Sequence, residues 1–103
     1  MTIPIKDEKL NTEDKKRLDR LYTAFLTLKS KDEYAAFMRD LCTLAELKAF
    51  GERFAIAELL SKDASYRGAS DQAMASTTTV TRVAHWLHHG TGGYRTVLDR
   101  MKH

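Results

Sequence analysis

The stretch Ser65–Gly90, SYRGASDQAMASTTTVTRVAHWLHHG, decides how this chain is read. Ser65 to Ala73 carries a short helical pattern, a small-residue break follows, and Ser76-Thr77-Thr78-Thr79 opens a second pattern that stops at Gly90. In the second pattern Val80, Val83, Ala84 and Leu87 share one side of a helix, which predicts an inward stripe. Thr78, Arg82, His85 and His89 fall on the opposite side. A short helix, a tight turn and a second helix with a polar, basic outer face suit the major groove of DNA. Residues 65–89 are therefore expected to form a helix-turn-helix.

Short polar side chains at the start of such a helix can approach base edges and phosphates, and an arginine can bridge to guanine or phosphate. Thr77, Thr78, Thr79 and Arg82 meet that description, with His85 one turn further along the same face. Tyr66 and Arg67, early in the supporting helix, would reach the flanking backbone. The plainer reading is a helical hairpin whose threonines only cap and meet solvent. Met74 stands where these turns often hold glycine, Gly68 interrupts the supporting helix, and Ala69 and Ala73 give it a thin inward face. Those features favour a competing class, a helical protein-interaction module whose degenerate helix-turn-helix does not bind DNA specifically.

Charge is distributed in keeping with the DNA reading. Residues 1–64 hold twelve Lys/Arg and twelve Asp/Glu, which cancel. Residues 65–103 hold five basic side chains (Arg67, Arg82, Arg95, Arg100, Lys102) against two acidic ones, Asp71 and Asp99. The basic excess thus coincides with the two-helix unit, as phosphate recognition requires, although +3 on a small protein also serves solubility.

At 103 residues a single domain spanning 1–103 is expected, small enough that a second chain sharing the core would help. No apolar run approaches the roughly 20 residues that cross a bilayer. Charges stand at the N-terminus where a signal peptide needs an apolar core, so a cytoplasmic location is expected. The lone Cys42, beside Leu41 and Leu44, reads as a small core residue in a reducing compartment.

The remaining chain also reads as helix, with the single proline at Pro4 and no two-residue alternation. A first helix begins near Thr12, capped by Asn11 or Thr12, and carries a seam of Leu18, Leu21, Phe25 and Leu28. Ser30 and Glu33 start a second helix, with Tyr34, Phe37, Met38 and Leu41 on one face. Thr43 and Glu46 open a third, Leu44 to about Ser61, so apolar around its circumference that it should be central. Gly51 within it predicts a close helix approach. Ser65 to Ala73 is the fourth helix, Ser76 or Thr77 caps the fifth, and Tyr94 to about Met101 is the last.

Other chemistry finds little support. His85 and His89 lie one turn apart, but no cysteine is near and only Asp99 and His103 could add ligands, so no metal is expected. Cys42 has no neighbouring histidine, no glycine-rich phosphate loop exists and the carboxylates are dispersed, so no enzymatic activity or cofactor is expected. Trp86, the only tryptophan, falls at the flank of the inward stripe, where packing is favoured over base stacking.

DLCTLAELKAFGERFAIAELL (Asp40–Leu60), TTTVTRVAHWLHHG (Thr77–Gly90) and GGYRTVLDR (Gly92–Arg100) together resemble the Trp repressor superfamily, and within it the YerC/YecD branch of Trp repressor-like proteins. The likeness covers about residues 18–101. It implies an all-α, six-helix fold whose N-terminal helices interlock in a homodimer, with the fourth and fifth helices reading double-stranded DNA. It implies a bacterial transcription regulator on a two-fold operator. In the Trp repressors, positions matching Thr43, Arg53 and Arg82 contact tryptophan, which makes these three and Trp86 a candidate effector pocket. Val83 and Trp86 stand where those repressors have glycine and serine, so tryptophan is not the expected co-regulator, and any small-molecule effector stays open. Arg67, Thr78, Thr79 and Thr81 match DNA-contacting positions.

Overall fold

The computed structural model describes residues 9–102. Pro4 and His103 lie outside them. The described residues form six α-helices: α1 (Thr12–Leu26), α2 (Lys31–Leu41), α3 (Leu44–Ser61), α4 (Tyr66–Ala73), α5 (Thr77–His89) and α6 (Gly93–Met101). No strand occurs among these residues. The chain divides into two compact units, one ending at Leu44 and one starting at Ala45.

In the first unit the caps act where side-chain chemistry placed them. The Asn11 side chain accepts from the Asp14 amide at 2.8 Å, and the Asp14 carboxylate accepts in return from the Asn11 amide at 3.4 Å. That exchange satisfies two amides that a helix start leaves without partners. At α2 the Ser30 hydroxyl accepts from the Glu33 amide at 3.1 Å, while the Glu33 carboxylate takes the Lys29 amide at 2.7 Å. Phe25 joins the two helices, stacking on Tyr34 at 6.3 Å between centroids and meeting Phe37 edge-on at 5.4 Å. Even so, neither α1 nor α2 has a buried residue, and Leu26 is 85% exposed. Cys42, expected in a core, is half-buried.

The second unit has the core. Ile56, Ala57 and Leu60 of α3, Ala69 of α4, Val80, Val83, Ala84 and Leu87 of α5, and Leu98 of α6 are buried together. The predicted stripe of α5 is thus the centre of this unit, and α4 and α6 each pack on α5. Two expectations for α3 fail. Its buried residues all lie in its C-terminal half, whereas Leu44 is 60% and Phe50 42% exposed, so the helix is not central along its length. A methyl built on Gly51 would meet nothing within 4 Å, so no close helix approach depends on that glycine.

Both α3 and α4 end on a left-handed residue that is not glycine. Asp63 has φ 66° and Met74 φ 56°. After α3 the Ala64 amide reaches back to the Leu59 carbonyl and the Asp63 amide to that of Leu60, each at 3.1 Å. After α4 the Ala75 amide bonds the Ser70 carbonyl at 3.0 Å, and the Met74 amide that of Asp71 at 3.4 Å. This paired pattern is the Schellman closure, usually built on glycine because a Cβ strains the left-handed backbone. Aspartate tolerates that backbone better than methionine does.

Candidate nucleic-acid interface

The candidate interface comprises α4, the Met74–Ser76 turn and the start of α5. Ser65 caps α4, its hydroxyl accepting from the Gly68 amide at 2.9 Å. Ala69 is fully buried and Ala73 partly so, which confirms a thin but closed contact with the core. The turn forms despite lacking glycine: Met74 takes the left-handed backbone, and the Ser70 hydroxyl donates to the Ala75 carbonyl beyond it. Met74 itself is 90% exposed.

Ser76, not Thr77, caps α5, since its hydroxyl accepts from the Thr79 amide at 3.1 Å and lies 3.0 Å from the Thr79 hydroxyl. The Thr81 hydroxyl donates back to the Thr77 carbonyl at 2.9 Å. The hydroxyls of Thr79 and Thr81 are therefore engaged by their own helix. Those of exposed Thr77 and Thr78 make no hydrogen bond among the described residues, which leaves them to an outside partner. That division of labour within one threonine run was invisible in the sequence, because every hydroxyl there has the same composition and nearly the same position.

The cations differ as well. Arg82 is exposed on α5 and forms no ion pair among the described residues. Arg67 points its Nε at Asp71 at 3.8 Å on the exposed surface of α4, so a phosphate would compete with that weak pair. Tyr66 beside it is half-exposed. Arg95 donates to His88 Nδ1 at 3.1 Å, since a guanidinium has no acceptor, and Lys102 pairs with Asp99 at 3.9 Å. His85 is half-buried, its ring edge-on to Trp86 at 5.4 Å.

The candidate effector-pocket residues belong to different units. Thr43 lies in the first unit and is exposed. In the second, Arg53 is exposed with its guanidinium 5.9 Å from the centre of the Phe50 ring. Trp86 lines an open cavity of about 460 Å³ with Phe54, Gly90, Thr91, Gly93, Tyr94 and Val97. Arg53 and Arg82 are not in its wall, and Val83 is buried in the core. This cavity draws on three helices at positions from 54 to 97, a combination with no local sequence signature. Burial pushes the Tyr94 phenol above its ordinary value, partly offset by the positive charge of Arg53.

Six helices, the fourth and fifth joined by a closed turn and the fifth carrying Arg82 on its exposed side, define an all-α chain with a helix-turn-helix arrangement. Residues 16–102 match the Trp repressor protein family, and the chain belongs to it. It is 36% identical over 87 residues to the YerC protein of Bacillus subtilis (strain 168), spanning 84% of either chain. Its fold matches the crystal structure of a Trp repressor-like protein from Staphylococcus aureus with a TM-score of 0.81, at 31% identity over 98% of this chain and 96% of that one. A TrpR-like protein from Eubacterium eligens ATCC 27750 gives a TM-score of 0.80 at 33% identity, over 84% of this chain and 90% of its own. No helix among the described residues is long and apolar enough to cross a membrane.

Proposed function

We propose that this chain is a sequence-specific DNA-binding transcription regulator that represses as a homodimer in the cytoplasm and does not respond to tryptophan. The observation that carries the reading is the outer face of α5, where Arg82, Thr77 and Thr78 are exposed and uncommitted at the mouth of a closed turn. Affinity would come from phosphate neutralisation by Arg82, Arg67 and Arg95, and sequence preference from the threonines. Met74 supports this over a degenerate helix-turn-helix, since it adopts the backbone that a glycine would supply.

The dimer is supported by the first unit. Two helices with an apolar seam and no buried residue are not stable by themselves in water, and a second copy would cover them. The exclusion of tryptophan is supported by Val83, whose side chain already fills the core.

The test is to mix the protein with fragmented DNA of its source genome at physiological salt and sequence what stays bound. A few enriched fragments sharing a two-fold motif, unchanged by added L-tryptophan, are expected. Broad retention without a motif would overturn the specificity, and no retention would overturn DNA binding itself.

A further inference from the structure

The C-terminal half of α5 carries three histidines, of which the DNA reading uses only His85. His85 and His89 are one turn apart, their ring centroids 5.5 Å apart and their planes tilted by 51°. Neither ring makes a hydrogen bond or ion pair among the described residues, so their lone pairs are not engaged there. His88 differs: its Nδ1 is occupied by Arg95, and its ring stands 6.4 Å from that of His89.

We infer that His85 and His89 form a two-nitrogen site for a late first-row divalent cation. The ring separation allows one nitrogen of each imidazole to reach a shared ion at the roughly 2.0–2.1 Å that imidazole–zinc bonds require. Imidazole ligands select copper, nickel and zinc over magnesium or calcium, and copper binds tightest of the divalent series. Among the described residues no group of three or more His, Cys, Asp or Glu is placed to hold a metal, so the two imidazoles would be the only protein ligands and water would fill the remaining positions. Two features favour a cation here. Trp86, edge-on at 5.4 Å, restrains the His85 ring, and His89 ends the helix, where the backbone dipole is negative. The bound ion adds positive charge one turn from Arg82 on the same face. Ion binding stands by itself; only its effect on DNA affinity rests on the function proposed above.

The experiment is calorimetric titration of untagged protein with copper(II) chloride, and separately with zinc chloride, in the absence of DNA. One ion per chain is expected, copper binding more tightly than zinc. His85→Ala and His89→Ala should each lose this event while His88→Ala keeps it, with circular dichroism showing all three variants folded. Zinc should also raise the melting temperature of the wild type and of His88→Ala, but not of His89→Ala. Unchanged binding in His85→Ala or His89→Ala, or equal loss in His88→Ala, overturns the site. With the site established, an unchanged affinity for a fluorescent duplex on adding zinc would place the ion outside DNA binding and leave the site itself intact.

Discussion

Ser70 and Ala75 are bonded twice across the turn that joins α4 to α5: the Ala75 amide donates to the Ser70 carbonyl at 3.0 Å, and the Ser70 hydroxyl donates to the Ala75 carbonyl. This double link fixes the entry to α5 although the turn contains no glycine. Ser70→Ala removes one of the two bonds in a half-buried setting and should cost about 1–3 kcal/mol, measured by urea unfolding. An unchanged midpoint would mean that the backbone bond alone holds the turn.

Met74→Gly tests the other side of that balance. The side chain is almost fully exposed, so removing it loses little packing, while the left-handed strain is relieved. Stability should rise by about 1 kcal/mol. Asp63→Gly, at the equivalent point after α3, should gain less. A destabilised Met74→Gly would show that the methionine makes a contact in the assembled protein.

Arg82→Ala should weaken binding to a selected operator by about 1–3 kcal/mol and reduce the slope of log affinity against log salt by about one. Its melting temperature should stay unchanged, because the side chain is exposed and unpaired. Wild-type affinity in this variant would remove Arg82 from the interface.

Gly90 lies against the residue one turn before it. A methyl added there would collide with the Trp86 carbonyl oxygen and stand 3.0 Å from its ring. Gly90→Ala should therefore destabilise by about 1–3 kcal/mol and shift the fluorescence of the only tryptophan. A normal melt with a native emission spectrum would contradict the collision.

Tyr94 links stability to alkaline pH. Its phenol is raised above 10.0 in the fold, chiefly by burial, so the folded state holds this proton more tightly than the unfolded state. Its contribution is complete below that value and is lost as pH climbs through the raised one. Tyr94→Phe should flatten the alkaline fall in stability. If wild type and variant lose stability in parallel above pH 10, the phenol is not the group responsible.

Helix boundaries were legible because their signals are local. Asn11, Ser30 and Ser76 each cap the helix that their chemistry predicts, Ser65 caps the fourth helix rather than beginning it, and the α5 stripe is buried as its spacing requires. What could not be read depends on neighbours. The apolar circumference of α3 implied burial along its whole length, but Phe50 and Leu44 remain exposed in the single chain. Met74 argued against a sharp turn, because propensity weighs one residue while the Ser70–Ala75 pair outweighs it. For the candidate site, Arg82 and the threonines could be named from the sequence, but which of the hydroxyls are bonded within their own helix required knowing where each points.

The half-buried seam of α1 gives the proposed homodimer a cellular consequence. If an identical chain covers that apolar side, the segment owes its order to mass action, and its melting point climbs with protein concentration. Expression level would then do more than set how many copies are present. Near the dissociation threshold it would set what fraction of them are folded throughout, so the supply of the proposed regulator would fail abruptly rather than in proportion.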